Sequence, residues 1–186
     1  MTAATLLRST VAALDAAGVP FMLTGSLAAA YHGAGRATMD VDLVIDPTVS
    51  QLRDLVRALA GTGVYVSPDA AEEALTHRSM FNIVDTTSGW KVDLIIRKLR
   101  AFSETELGRR QQAEYDGCTL WVASAEDVIL AKLEWAKLGG SARQLEDVAA
   151  LLRIQAGRLD SGYLTHWVGE LGLAAQWEQA TLGERK

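Results

Sequence analysis

Apolar positions change period several times along the chain. Leu6, Leu7, Val11 and Leu14 fall at helical spacing, and Gly18 stops the run before Pro20, so residues 6–17 should open the chain as an amphipathic helix. Pro20-Phe21-Met22-Leu23-Thr24 is a short apolar run ending in Gly25-Ser26, and residues 27–32 then read as helix until Gly33 and Gly35. The expected order is strand, tight turn, helix. Residues 38–46 alternate, with Val41, Leu43 and Ile45 on one side and Asp40, Asp42, Val44 and Asp46 on the other. That pattern predicts a strand carrying carboxylates on one face. Asp46-Pro47 is expected to cap and start a helix through Leu52, Leu55, Val56 and Leu59, stopped by Gly61 and Gly63.

A short strand over 64–67 and a helix over 69–75 should follow. Residues 80–85 and 90–96 then form two strands about the turn Thr86-Thr87-Ser88-Gly89, a hairpin pattern. Asp116-Gly117 precedes the strand-like Cys118-Thr119-Leu120-Trp121-Val122. Beyond it the period becomes helical throughout. Ser124-Ala125-Glu126-Asp127 has capping-box form and opens a helix to Leu138, Gly139-Gly140-Ser141 breaks it, and further helices follow over 145–154 and from Asp160 through Trp167, Leu171 and Trp177. The expected class is α+β, with a mixed sheet and flanking helices over 1–123 and a helical region over 124–186 packed on that core.

With 186 residues, 49% of them apolar, the chain can bury a core without a covalent staple. One cysteine excludes an internal disulfide and a cysteine-rich zinc site, which points to a reducing compartment. Arg8 is the only positive charge in the first 17 residues, Asp15 interrupts that segment, and no apolar run approaches roughly 20 residues, so neither a signal peptide nor a membrane span is expected. A cytoplasmic protein without membrane attachment is the resulting expectation. The net charge of −5 argues against indiscriminate binding to nucleic acid.

The acids carry the chemistry. Two residues along a strand advance roughly 6.5 to 7 Å, so Asp40 and Asp42 project from one face and repel each other. If Asp93, in Lys91-Val92-Asp93-Leu94, lies on the neighbouring strand, a third carboxylate joins them. Three converging acids in an apolar sheet call for a hard cation, Mg2+ or Mn2+, which binds through carboxylates together with substrate phosphates. The plainer alternative for Asp40 and Asp42 is a solvated strand face. Gly25-Ser26 allows close backbone approach to a phosphate, or else is simply a turn. Arg36 and Thr38 lie just upstream of Asp40, placed to orient triphosphate oxygens, although Arg36 reads equally as a surface charge.

Gly25-Ser26, then Arg36-Ala37-Thr38-Met39-Asp40-Val41-Asp42-Leu43, then Val92-Asp93-Leu94 resembles, in order and spacing, the nucleotidyltransferase superfamily built on the DNA polymerase β type of fold. The Arg-x-Thr-x-Asp-x-Asp form is similar to the AbiEii type, toxins of bacterial toxin–antitoxin and abortive-infection systems. Lys132 and Asp147 match, in order, the lysine and aspartate of that group's later motifs. The resemblance implies metal at Asp40, Asp42 and Asp93, nucleotide at Gly25, Ser26, Arg36, Thr38 and Lys132, and catalysis by the three acids with Lys132 and Asp147. Lys132 would reach a phosphate as a mobile point charge, and Asp147 would act as base or hold Lys132 in place; the alternative is an exposed helix bearing Lys132, Glu134 and Lys137. The implied activity moves a nucleoside monophosphate from a nucleoside triphosphate to a hydroxyl on tRNA or protein, with a cognate antitoxin as partner. Two alternatives stand beside it: an enzyme modifying a small compound of aminoglycoside type, and a catalytically silent nucleotide-binding or antitoxin module.

Other residues receive plainer readings. Arg97, Lys98, Arg100, Arg109 and Arg110 form the densest basic region, which either guides RNA or is a solvated edge. Trp121 and Trp135 fall in patterns that suggest core, and Trp90 beside a turn is the better stacking candidate. The three histidines lack metal-ligand spacing, and Cys118 in an apolar strand is expected to be buried and inert.

Overall fold

The computed structural model describes residues 2–35, 38, 40–115 and 117–183. Its elements run α1 (Ala3–Ala16), β1 (Phe21–Thr24), α2 (Gly25–Tyr31), β2 (Asp40–Ile45), α3 (Val49–Ala60), β3 (Tyr65–Val66), α4 (Pro68–His77), β4 (Met80–Val84), β5 (Lys91–Ile96), α5 (Ala101–Gly108), β6 (Gln111–Tyr115), β7 (Cys118–Val122), α6 (Ala125–Gly139), α7 (Ala142–Ile154), α8 (Ser161–Glu170) and α9 (Ala174–Gly183). Among the described residues the strands form one mixed seven-stranded sheet in the order β3-β4-β5-β2-β1-β7-β6. The parallel pairs are β2 with β5 and β1 with β7, and the rest are antiparallel. The expected α+β class with a mixed sheet flanked by helices is therefore what the chain forms.

Helices α1, α3 and α4 pack in succession, while α6 contacts α2, α7, α8 and α9. The inward residues of α1, Leu6, Leu7, Val11 and Leu14, are those its periodicity marks. The core is continuous from Leu6 to Ala180. No helix among the described residues is long and apolar enough to cross a membrane.

Two elements differ from the sequence expectation by their presence. α5 carries buried Ser103 and Glu106 alongside Phe102 and Leu107, which breaks the apolar pattern that would announce it. β6 is an edge strand with one buried residue, Ala113, so almost nothing in its sequence separates it from a loop. Its turn to β7 passes through Gly117 at φ +72°, whereas Asp116 lies outside the described residues.

Three local expectations are corrected. Asp46 does not cap α3. Thr48 does, in a capping box in which its hydroxyl accepts from Gln51 N and the Gln51 side chain accepts from Thr48 N. Asp46 sits one position too early and instead accepts from Arg97 Nε at 2.8 Å, where the guanidinium leaves the end of the neighbouring strand β5. Trp135 is not core: it is 50% exposed, because the inward face of α6 is taken by Lys132, Leu133 and Ala136. Cys118 is half-buried rather than buried, since its strand is next to the sheet edge. Burial and the Asp15 carboxylate raise the pKa of its thiol.

Three arginines of the basic region are paired rather than solvated, while Lys98 is exposed. Arg97 pairs with Asp46, Arg100 grips Glu134 through both terminal nitrogens, and Arg109 lies against Glu126 and Asp127. Asp127 is the hub of the last group. Ser124 Oγ donates to it at 2.6 Å, Tyr163 Oη donates at 2.6 Å, and Arg109 stacks 3.9 Å over the Tyr163 ring. This network ties α8 to the start of α6. Burial raises the pKa of Asp127, and burial, with Asp127 second, pushes neighbouring Glu106 up to about 8. Removing a hydrogen bond to a buried charge costs roughly 1.5–3 kcal/mol, so Tyr163→Phe should lower the unfolding free energy by about that amount in urea titrations, whereas a loss within experimental error would show the hydroxyl to be dispensable.

Candidate active site

The candidate site starts from strand register. β2 and β5 run parallel with Asp42 opposite Asp93 and Asp40 opposite Lys91. Neighbouring strands stand roughly 4.8 Å apart, so the acids at 42 and 93 are brought together from distant parts of the chain. The three sequence-predicted acids share one face of the sheet, and Asp93 and Asp40 both push the Asp42 pKa upward.

Asp42 is paired on its other side with Thr24, the residue before Gly25. Gly25 has φ +65°, and a Cβ built there would lie 2.0 Å from Asp42 Oδ2. The glycine is therefore required twice, by backbone conformation and by the carboxylate that occupies its missing side chain. Among the described residues no side chain hydrogen-bonds to Asp42. Its burial, then Asp93, then Asp40, raise its pKa to about 6.

Asp93 has partners that the motif alone does not reveal. Asn82, its cross-strand neighbour on β4, donates to Oδ1 at 2.6 Å. Lys91 Nζ reaches Asp93 Oδ2 at 3.0 Å, Asp93 Oδ1 at 3.3 Å and Asp40 Oδ1 at 3.4 Å. The bond to Asp93 is the main cause that raises the Lys91 pKa. Both residues were within reach of the sequence: the hairpin about 86–89 puts Asn82 across from Asp93, and Lys91 shares Asp93's parity on the strand. Thr38 accepts from Asp40 N at 3.2 Å and donates to Asp40 O, which fixes the start of β2. Arg36 lies outside the described residues.

Lys132 and Asp147 come together from α6 and α7. Lys132 is 2% exposed, and its Nζ donates to Asp147 Oδ2 at 2.7 Å and to Gln144 Oε1 at 3.1 Å. The exposed-helix alternative for Lys132 is thereby set aside. Lys132 also lowers the Asp42 pKa through space, and Gly25, Ser26, Asp42, Lys132, Gln144 and Trp135 line one cavity of about 110 Å³. A second cavity of about 80 Å³ continues it past Thr24, Ile95 and Trp135 to Arg100, Glu106 and Glu134.

The donor set suits a hard divalent cation: three carboxylates on one sheet face, beside a turn that leaves room for phosphate. In this conformation, however, no cluster of three or more His, Cys, Asp or Glu side chains among the described residues is arranged to close on an ion. Lys91 and Asn82 engage the Asp93 oxygens instead.

No family model matches the sequence, and no curated protein matches it significantly. Solved structures do match over nearly the whole chain. The antibiotic-resistance factor ANT(2'')-Ia in complex with adenylyl-2''-tobramycin aligns with TM-score 0.61 at 16% identity, over 96% of this chain and 99% of that one. This chain has the nucleotidyltransferase fold. The solution structure of ANT(2'')-Ia gives 0.58 at 15% identity over 98% and 95%, and an antigenic nucleotidyltransferase-like protein from Paracoccidioides brasiliensis gives 0.57 at 16% over 95% and 92%. At these identities the likeness concerns the fold alone.

The raised pKa of Asp42 makes the site costly to the fold. Its native carboxyl holds a proton more tightly than in the unfolded chain, so its contribution to stability is fully present below about pH 4 and is lost as pH rises through about 6. The displacement corresponds to roughly 2–3 kcal/mol. Asp42→Asn should therefore raise the unfolding free energy at pH 8 by about 1–2 kcal/mol, part of the relief being offset by the buried amide, and should change it little at pH 4. Denaturant titrations at the two pH values check this; an Asn variant less stable than wild type at pH 8 would contradict the assigned strain.

Proposed function

We propose that the chain is a metal-dependent nucleotidyltransferase that moves a nucleoside monophosphate from a nucleoside triphosphate to a hydroxyl of a small acceptor. The observation that carries the reading is the juxtaposition of Asp42 with Asp93 across β2 and β5, beside Gly25 and within one cavity with Lys132. Asp40, Asp42 and Asp93 would hold Mg2+ or Mn2+. When bound, such an ion neutralises phosphate charge and lowers the pKa of the attacking oxygen. Gly25 and Ser26 would admit the triphosphate, with Arg36 orienting it and Thr38 holding the strand that presents Asp40. Lys132 would supply positive charge to a phosphate, and Asp147 would position it, a task that fits its 2.7 Å contact better than that of a base. In the reaction the acceptor hydroxyl would give up its proton to solvent as its oxygen bonds to the α-phosphorus, the bond to the β-phosphate breaks, and pyrophosphate leaves.

Two observations favour a small acceptor. Arg97, Arg100 and Arg109, which an RNA backbone would need, are held in internal ion pairs. The cavity next to the acids is small and presents the half-exposed indole of Trp135, with Glu106 and Glu134 beside Arg97, Lys98 and Arg100, a surface suited to a ring compound. ANT(2'')-Ia, solved with adenylyl-2''-tobramycin, is a precedent for such an acceptor on this fold. The joined Lys132 and Asp147 favour a second reading, an AbiEii-like toxin acting on tRNA or protein and held by a cognate antitoxin.

Incubation with Mg2+, each α-labelled triphosphate and either a panel of aminoglycosides or total RNA and lysate separates these. Label on an aminoglycoside is expected. Label on RNA or protein would transfer support to the toxin reading, and label nowhere would overturn nucleotidyl transfer. Asp42→Ala should abolish transfer while leaving the circular dichroism spectrum unchanged; retained activity in that variant would remove the metal role of the acids.

A further inference from the structure

On the reading that Asp40, Asp42 and Asp93 hold the metal, which this inference presupposes, we infer that the Lys91 ammonium is a built-in counter-ion that stands in the metal's place in the free protein and must withdraw for the metal to enter. Register puts Lys91 opposite Asp40 and two residues before Asp93 on the same strand face, so one ammonium reaches oxygens of both acids at 3.0 to 3.4 Å. Asn82 fixes the Asp93 carboxylate from the other side at 2.6 Å and keeps its oxygens turned to Lys91. These are the oxygens a divalent ion needs, and among the described residues no acid cluster is closed around an ion position while Lys91 holds them. An ammonium and a divalent ion on shared ligands repel strongly, so their occupancies exclude one another.

A partly exposed cross-strand ion pair of this kind, with the lysine side chain 37% exposed, adds little to stability by itself. Its consequence lies in binding order. A metal arriving alone must displace the ammonium and leave it without a partner. A metal arriving with a triphosphate brings phosphate oxygens as ligands and a new anionic partner for the freed lysine. Metal binding is thereby made dependent on nucleotide.

The test is calorimetric titration of Mn2+ into the nucleotide-free full chain, comparing wild type, Lys91→Met and Lys91→Arg. Lys91→Met should bind Mn2+ about tenfold more tightly than wild type, and Lys91→Arg, which keeps the cation, should remain weak. Equal or weaker Mn2+ affinity in Lys91→Met, or equal tightening in Lys91→Arg, overturns the counter-ion role while leaving the metal site standing. Mn2+ binding in none of the three, even with nucleotide present, overturns the metal reading together with this inference. A second readout uses amine-reactive labelling followed by mass spectrometry: saturating Mn2+ with a nonhydrolysable triphosphate analogue should change the labelling rate of Lys91 and leave that of Lys137, bonded to the carbonyls of Leu171 and Gly172, unaltered. An unchanged rate at Lys91 under saturation also overturns the proposal.

Discussion

Asp42 faces Asp93 across two parallel strands, and the surrounding structure answers the repulsion this creates. Gly25 gives up a side chain so that the Asp42 carboxylate has somewhere to go. Lys91 lies against Asp93 and Asp40, and Lys132 acts on Asp42 from the helical half. Even so, Asp42 stays half-buried without a hydrogen-bonding side chain among the described residues. Against a domain stability of typically 5–15 kcal/mol, a strain of roughly 2–3 kcal/mol is a substantial fraction. Such strain persists where surrounding structure over-determines it, and here the sheet register does so.

A second acidic group shows the contrast. Glu126 and Asp127 are more buried than Asp42, but their oxygens are engaged: Ser124 and Tyr163 on Asp127, Arg109 on both Asp127 and Glu126, and Asp160 N on Glu126. That cluster joins α8 to α6 and has what a structural network needs. The cluster on β2 and β5 lacks such closure on Asp42. Burial alone does not separate the two, whereas satisfaction of the buried oxygens does.

How much was legible in the sequence follows from how local each feature is. The parity of Asp40 and Asp42 on β2 is a short-range pattern that puts those two on one face, whereas Asp93 joins them only through the parallel pairing of β2 with β5, which no local pattern records. The turn at Gly25 was equally visible, though its contact with Asp42 was not, because that distance depends on β1 and β2 being antiparallel neighbours. The burial of Lys132 could not be read from α6, whose sequence also suits an exposed face; Asp147 and Gln144 on α7 supply the partners that make burial tolerable. Asp46, Arg97, Arg100 and Arg109 were misread for the same reason. Each finds an opposite charge on an element distant in sequence, and a run of charges carries no record of such pairings.

These pairings share a logic that bears on the proposed reaction. Lys91 sits on the carboxylates proposed for the metal, and Arg100 sits on Glu134 in the cavity proposed for the acceptor. In both places a side-chain cation satisfies acids that would otherwise stand unpaired. The fold gains because repulsion and desolvation are reduced before any ligand arrives. Metal binding would then have to exchange one cation for another rather than fill an empty charge, so intrinsic affinity for the metal alone is lowered. A triphosphate carrying its own metal is the visitor whose charges can answer both the acids and the displaced lysine, which makes nucleotide, rather than acceptor, the natural first ligand of this site.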